Sequence, residues 1–328
     1  MSPHRAVRCR ARLVPGPSSV KMKTNRNLNI LSPQQQTLLS SLLPVARIAT
    51  SGCRKDLPVK LRTASLVIGP SGGGKSHLAR SLGERLTLPI MVINVSSWVV
   101  LSARNEPWTY SVICQWLDSL QDKGGILVLD EICALDRRSD WVTYIRLEVH
   151  DLMDGIIPLA ARLPSPPSDN LWGEDPPNEL PDAIQREILA KRLRDRVFIL
   201  ACGAWQHAWR SNSRQIGFGS ATAALEPPSC EQILESIEPE LRQRFRNEVC
   251  WLPPLAYSDY VTVSANIENR ISDKRTRNAW NRLAGPAIEE AVAGGLGMRV
   301  FEELMLAALL DAHDRDEPGR DALYQPEI

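Results

Sequence analysis

Short apolar runs alternate with amphipathic segments along most of the chain. Four runs predict buried parallel strands, because each is brief and continuously apolar. They are Ala64–Gly69, Pro89–Val95, Gly125–Leu129 and Val197–Ala201. Apolar residues at helical spacing predict helices between and after these strands, over Lys75–Leu86, Tyr110–Leu120, Trp141–Met153 and Glu231–Phe245. Strands that alternate with helices indicate an α/β fold with a parallel sheet.

The two ends of this α/β pattern differ from its middle. Ser32-Pro33-Gln34, followed by leucines at positions 38, 39, 42 and 43, predicts a capped amphipathic helix. From Tyr257 onward the spacing is helical, which predicts a small all-helical domain. The predicted organisation is therefore a tail (1–27), an α/β domain (28–255) with a proline-rich insertion at 161–181, and a helical domain (256–328).

Composition narrows the class of protein. Hydrophobic residues make up 43% and charged residues 23%, which is typical of a globular chain and unlike a disordered or collagenous one. No apolar run approaches the roughly 18 residues of a membrane span, so no membrane contact is predicted. The seven cysteines form no CxxC pair, which predicts free thiols in a reducing, cytoplasmic compartment.

The net charge conceals an uneven distribution. The 39 Lys and Arg nearly balance the 38 Asp and Glu, giving +1. Residues 1–55, here called the basic head, contain ten basic residues and no acid, so the rest of the chain carries a net −9. Such a segment can contact nucleic-acid phosphates, and it is equally typical of a disordered tail. Its basic residues are Arg5, Arg8, Arg10, Arg12, Lys21, Lys23, Arg26, Arg47, Arg54 and Lys55.

A glycine-rich segment follows the first predicted strand. It reads Gly69-Pro70-Ser71-Gly72-Gly73-Gly74-Lys75-Ser76, fits the pattern G-x-x-x-x-G-K-[ST], and is followed by His77. Glycines allow consecutive backbone N–H groups to turn inward around a phosphate, and the next helix adds its positive N-terminal end. Lys75 is predicted to reach the β- and γ-phosphates, and Ser76 to ligate Mg²⁺. The segment therefore predicts a nucleotide site.

Two acids, Asp130 and Glu131, follow the third predicted strand. A buried strand aims its last side chains at the carboxyl edge of the sheet, where the phosphates are expected. Asp130 is predicted to bind Mg²⁺, directly or through water, and Glu131 to polarise the attacking water. Adjacent acids indicate hydrolysis rather than nucleotide binding alone.

Two later arginines are candidates for phosphate contacts, because guanidinium groups stabilise charge at a γ-phosphate. Arg244 lies at the end of a predicted helix, and Arg299 opens a predicted helix over 300–310. Taken singly, such an arginine is more often a solvated salt-bridge partner. Their order along the chain, after the glycine-rich segment and the acids, favours the phosphate role.

This order of motifs resembles the AAA+ ATPases: Walker A, Walker B, a sensor-1 strand, an arginine finger and a sensor-2 arginine in a small helical lid. Within that family the chain is most similar to ClpX, the unfoldase subunit of Clp proteases. The matching segments lie in the family's order between residues 28 and 312. They include SLVIGPSGGGKSHLARSLGERLTLPI, ILVLDEICAL, VFILACGAW, RQIGFG, EPELRQRF and LGMRVFEELMLAALLDA.

The resemblance implies an ATPase in which residues 69–77, Asp130 and Arg299 bind ATP and Mg²⁺, and Lys75 and Glu131 serve hydrolysis. It implies that Arg244 is a finger inserted into a neighbour's site. A site completed by a neighbour implies a ring or spiral, usually a hexamer, that remodels, unfolds or switches a partner protein. A separate peptidase or nuclease is a further candidate partner.

Several segments depart from the family pattern. The paired cysteines of the ClpX zinc-binding domain are not found. In place of an aromatic-hydrophobic-glycine pore loop the chain has Trp98-Val99 and, further on, Trp108; either of these grips a polypeptide, or they pack under the sheet. The sensor-1 strand ends in Ala201-Cys202-Gly203 without Asn or Thr, and Gln206 or His207 are candidate substitutes. Ile216-Gly217-Phe218 resembles the loop that docks on the peptidase, or it folds back on its own domain.

Two alternatives to protein remodelling stay open. A DNA-associated AAA+ ATPase, such as a transposition regulator, loader or defence-system regulator, would use the basic head as a phosphate clamp. A nucleotide switch would assemble and hardly hydrolyse ATP, which Glu131 and Arg244 disfavour. The resemblance favours protein remodelling over DNA association.

Overall fold

A five-stranded parallel sheet forms the centre of the structure. The computed structural model describes residues 30–59, 61–102, 108–136, 140–159, 161–164, 182–205, 229–246 and 248–314. The strands are β1 (Ser65–Ile68), β2 (Ile90–Asn94), β3 (Gly125–Asp130), β4 (Val197–Gly203) and β5 (Cys250–Trp251). They are all parallel, in the order β2-β3-β4-β1-β5. The predicted α/β class is confirmed, as are its four predicted strands.

Helices flank the sheet and continue beyond it along the chain. They are α1 (Pro33–Thr50), α2 (Lys75–Leu86), α3 (Val95–Ser102), α4 (Trp108–Leu120), α5 (Asp140–Asp154), α6 (Asp182–Arg196), α7 (Cys230–Ser236), α8 (Pro239–Arg242), α9 (Tyr257–Glu268), α10 (Lys274–Gly294) and α11 (Val300–Asp314). The helices predicted at α1, α2, α4 and α5 are confirmed, as is the helical character of the chain from Tyr257 to Asp314.

Alternate residues of the central strands bury two cores, one on each face of the sheet. Leu66 and Ile68 of β1 belong to the core that includes residues of α3, α4 and α5, whereas Val67 belongs to the core with α1 and α2. Because both faces are covered, the strands appear in the sequence as continuous apolar runs. A third cluster, around Trp280 and Phe301, lies among α9, α10 and α11.

The predicted continuous helix over Glu231–Phe245 is wrong. The chain forms two short helices instead, α7 and α8, with Pro239 at the first position of α8. Proline has no N–H to donate and clashes with the preceding turn, so it begins a helix more readily than it continues one. Arg244 consequently lies in the turn after α8, where its backbone N–H donates to Leu241 O at 3.1 Å.

The interpretation of Trp98 as a residue that grips a polypeptide is also wrong. Trp98 lies in α3, and only 1% of its surface is exposed. Its Nε1 donates to Glu148 Oε2 at 2.7 Å, and its ring meets Tyr110 edge-on with centroids 5.7 Å apart. The alternative of packing against the sheet is therefore the observed one. The side chains of Val99 and Trp108 are not among those that the structure describes.

Because Trp98 is a core residue, we expect Trp98→Ala to lower the free energy of unfolding by about 3–5 kcal/mol. Chemical denaturation of the full chain measures this loss. Tyr144→Ala is the matched control, since that aromatic residue is 64% exposed and its truncation should cost less than about 0.5 kcal/mol. Equal stabilities of the two variants would contradict the packing of Trp98.

Two further features of the described residues are the state of the cysteines and the apolar character of the helices. The six cysteines in the described residues are free, and Cys114, Cys202 and Cys250 are buried. None of the helices in the same residues has the length and apolar character that crossing a membrane requires.

Candidate nucleotide site

The glycine-rich loop lies at the carboxyl edge of the sheet, between β1 and α2. Gly72 (φ +77°) and Gly74 (φ +82°) adopt the left-handed backbone that favours glycine. A Cβ at Gly74 would lie 2.1 Å from Gln35 Nε2, and one at Gly72 would lie 2.9 Å from Leu296 O. The loop therefore requires glycine for its own backbone and for the close approach of α1 and the turn before α11.

Lys75 is the first residue of α2 and is only 9% exposed. Its Nζ donates to Gly69 O at 2.9 Å and to Pro70 O at 2.7 Å. Burial lowers the pKa of this ammonium, and smaller opposing effects come from the nearby Cys202 and Asp130. The lysine is thus held against the loop, where phosphate oxygens could replace the two carbonyls as acceptors.

Ser76 and Asp130 meet at the same edge. Ser76 Oγ donates to Asp130 Oδ2 at 2.6 Å, and the backbone N–H of Glu131 donates to Asp130 Oδ1 at 3.0 Å. Hydroxyl and carboxylate oxygens are the hard ligands that Mg²⁺ prefers, so these two residues fit the ion. The structure brings the predicted ligands together, and Mg²⁺ binding itself stays a prediction.

Glu131 follows β3 directly and lines the same cleft as Lys75 and Ser76. Its backbone is left-handed, with φ +56°, which is uncommon for a residue with a side chain. Such a conformation costs roughly 1–3 kcal/mol and persists where the surrounding structure enforces it. The exposed carboxylate of Glu131 is available to solvent beside the glycine-rich loop.

A cleft of about 1750 Å³ extends between the sheet edge and the C-terminal helices. Charged groups of the glycine-rich loop and the end of β3 contribute to its wall, and so do apolar residues of the C-terminal helices. A nucleotide combines charged phosphates with a largely apolar base. A cleft wall with both charged and apolar residues therefore suits a nucleotide. The apolar residues from this C-terminal part are Val263, Ile267, Ile271, Met298, Phe301, Met305 and Leu309, and Ile30 adds to them from the segment before α1.

Arg299 and His77 also line this cleft. Arg299 is exposed in the turn that opens α11, and its guanidinium has no hydrogen-bond or ion-pair partner among the described residues. The Nε2 atom of His77 lies 3.1 Å from Ile30 O, and burial lowers the pKa of its ring. Both residues therefore line the same cleft as Lys75, and their contacts to a nucleotide stay predictions.

Arg244 lies elsewhere. Its Nη2 and Nε donate to Asp154 Oδ2 at 2.9 and 3.1 Å. The side chain lines a separate groove of about 1030 Å³ that includes Ala64 and Val197, at the amino edge of the sheet. Arg244 therefore does not line the cleft that contains Lys75, and its role as a finger in a neighbour's site stays a prediction.

Within the described residues, the end of β4 carries no Asn or Thr side chain of the kind expected at a sensor-1 position. Cys202 is buried, and burial raises the pKa of its thiol. Trp205, only 1% exposed, lies in the cleft wall instead, with its ring so close to Gly203 that a Cβ there would clash at 2.1 Å. Sequence reasoning did not single out Trp205. Gln206 and His207 lie outside the described residues.

A set of hydrogen bonds around the glycine-rich loop was missed by sequence reasoning. On one side, Gln35 Nε2 donates to Gly73 O at 3.0 Å. On the other, the Met298 N–H donates to Gly72 O at 2.8 Å. Gln34 Nε2 closes the set by donating to Asp259 Oδ2 of α9 at 2.9 Å. The only signal in the sequence was the helix cap at Ser32. A cap indicates where α1 begins, but it does not indicate which distant residues the helix contacts.

The loop Ile216-Gly217-Phe218 and most of the insertion at 161–181 lie outside the described residues. In the described part of the chain, no group of three or more His, Cys, Asp or Glu could hold a metal ion. No protein-family model matches the chain.

Proposed function

We propose that the chain is a ClpX-like AAA+ ATPase that hydrolyses ATP in a ring, with a hexamer as the expected form. Hydrolysis would serve to remodel, unfold or switch a partner protein in the cytoplasm. The observation that carries the proposal is the convergence of Lys75, Ser76, Asp130 and Glu131 at one edge of a parallel sheet. The order strand, glycine-rich loop, helix is the arrangement of P-loop NTPases, with which the fold is compatible.

In this proposal each group has one task. Lys75 Nζ exchanges its loop carbonyls for phosphate oxygens, and backbone N–H groups of the loop hold the same phosphates. Ser76 and Asp130 hold Mg²⁺, which neutralises phosphate charge when bound. Glu131 orients the attacking water and accepts its proton. Arg299 donates to the γ-phosphate from the helical lid.

The direct test uses the full chain. Phosphate release with ATP and Mg²⁺ measures hydrolysis, and mass photometry with and without ATP measures assembly. We expect hydrolysis together with an ATP-dependent ring. Assembly without measurable hydrolysis would favour the nucleotide switch. A lack of ATP binding would exclude protein remodelling, a DNA-associated ATPase and the nucleotide switch alike.

Arg244 provides a test of the shared site. We expect Arg244→Ala to bind ATP without hydrolysing it, because the guanidinium would act on a neighbour's γ-phosphate. Mixing this variant with Lys75→Ala subunits should restore some hydrolysis at composite sites. Asp154→Asn is the matched control, since it removes the negative charge that faces Arg244 and keeps the guanidinium; this partly exposed ion pair is worth about 1 kcal/mol or less. A mixture without any recovered activity would count against the shared site.

DNA association is the second candidate function, and the observation that favours it is the acid-free basic head. Not all of the head is available for DNA. Arg54 donates to Thr63 Oγ1, Ala49 O and Val197 O, so it belongs to the fold. Salt-dependent DNA binding that disappears on deletion of residues 1–27 would favour this function. ATP-dependent unfolding of a tagged protein would favour remodelling.

A further inference from the structure

Gln35 is a fully buried polar residue beside the glycine-rich loop. Both the oxygen and the nitrogen of its side-chain amide form hydrogen bonds. The Oε1 atom accepts the Ser32 N–H at 2.8 Å, while Ser32 Oγ accepts the Gln35 N–H at 3.2 Å. This pair is the capping box of α1. The Nε2 atom donates to Gly73 O at 3.0 Å and lies 3.5 Å from Gly74 O.

Capping alone does not explain the Nε2 contacts. Glutamate at the same position of a capping box accepts the same backbone N–H. A carboxylate, however, cannot donate to a carbonyl. A second capping box in this chain, Ser229 with Gln232, has the same two backbone bonds. For Gln232 the amide NH₂ has no hydrogen-bond partner within the described residues, so the loop contact is particular to Gln35.

The contact to Gly73 O fixes the orientation of a peptide unit. In a trans peptide the C=O of one residue and the N–H of the next point in opposite directions. Holding the Gly73 carbonyl toward α1 therefore turns the Gly74 N–H the other way. The neighbouring peptide unit is fixed too, because Gly72 O accepts the Met298 N–H and the Gly73 N–H donates to Pro70 O at 3.2 Å.

We propose that Gln35 is a positioning residue for nucleotide binding: its amide holds the Gly73 carbonyl so that the Gly74 N–H faces the phosphates. The proposal rests on the proposed ATP site. Loss of the amide would free the Gly73–Gly74 peptide unit, and glycine has the widest choice of backbone conformation of any residue type. It would also leave a buried carbonyl without its partner. The freed peptide unit weakens binding of the phosphates, whereas the unpaired carbonyl lowers the stability of the fold, which Tm measures.

The test separates the amide from the cap with three variants of the full chain. Gln35→Glu keeps an acceptor for the Ser32 N–H and loses the donor. Gln35→Met loses both without introducing a charge. Ser32→Ala weakens the cap and keeps the donor. Gln232→Glu makes the same chemical change in the capping box that is remote from the loop.

Dissociation constants for ATP and for ADP with Mg²⁺, measured by calorimetry at pH 8, provide the readout, with Tm recorded for each variant. We expect both Gln35 variants to weaken binding of ATP and ADP by about tenfold or more. Ser32→Ala and Gln232→Glu should bind within about twofold of the unaltered chain, although Ser32→Ala should lower Tm.

Two results would overturn the proposal. One is wild-type affinity in either Gln35 variant. The other is an equal loss of affinity in Ser32→Ala, which would assign the effect to the helix cap. The proposed function fails separately, if neither the unaltered chain nor Gln232→Glu binds ATP.

Discussion

Lys75→Ala should abolish nucleotide binding, with a loss of at least about 100-fold in affinity. Hydrogen bonds to charged groups contribute about 1.5–3 kcal/mol each, and about 1.4 kcal/mol corresponds to a factor of ten in affinity. Lys75 sits where it can make two such bonds, as its contacts to Gly69 O and Pro70 O demonstrate. The substitution also leaves these carbonyls without their donor, so the loop itself becomes less ordered.

Calorimetry with ATP and Mg²⁺ measures the loss in Lys75→Ala. Lys191→Ala is the control, because that lysine is exposed and lines the groove at the amino edge of the sheet. Both variants lose one positive charge, so a difference in their ATP affinities measures the contribution of Lys75 at its position in the loop. An unchanged ATP affinity in Lys75→Ala would contradict the proposed function, because that function requires ATP to bind at the glycine-rich loop.

Glu131→Gln should bind ATP, assemble and fail to hydrolyse. General-base catalysis contributes about 10²–10⁴-fold to a rate, and glutamine cannot accept the proton. The backbone of Glu131 is tied to Asp130 Oδ1 at 3.0 Å, so the side chain can change while the predicted Mg²⁺ ligand stays in place. The variant should therefore accumulate as an assembled, ATP-bound oligomer.

Phosphate release and mass photometry together test this expectation. Glu302→Gln is the matched control, since Glu302 is an exposed acid that lines the same cleft from α11. Its hydrolysis rate should stay within about threefold of the unaltered chain, the size expected of a surface change. Hydrolysis at the wild-type rate in Glu131→Gln would show that another group activates the water.

Local patterns predicted the parts of the site that are contiguous in the chain. The glycine-rich loop and the acids after β3 were found because parallel strands place consecutive functional residues at one edge. The four main strands were found because burial on both faces produces uninterrupted apolar runs. In each case the information lies within a few residues.

The missed features depend on partners far away in the chain. Trp98 is held by Glu148, which is 50 residues later, and no local pattern distinguishes a core tryptophan from an exposed one. The helix α3 itself was missed, although Asn94 caps it by accepting the Ser96 N–H at 2.8 Å. Gln35 has the sequence signature of a helix cap, whereas its contact to Gly73 exists only in the folded molecule.

The hydrogen bonds around the glycine-rich loop also set the order in which the molecule can become functional as it folds. Gln34 and Asp259 are 225 residues apart, and Gln35 and Gly73 are 38 apart. Contacts between distant segments form late, because the entropy of closing long loops opposes them until much of the chain is in place. In the sheet, Ser65 of β1 pairs with Leu200 of β4, which is 135 residues later. The hydrogen bonds that hold the glycine-rich loop need α1 and also the turn before α11, where Met298 donates to Gly72 O from more than 220 residues away. During refolding, recovery of the circular dichroism signal should therefore precede recovery of ATP binding.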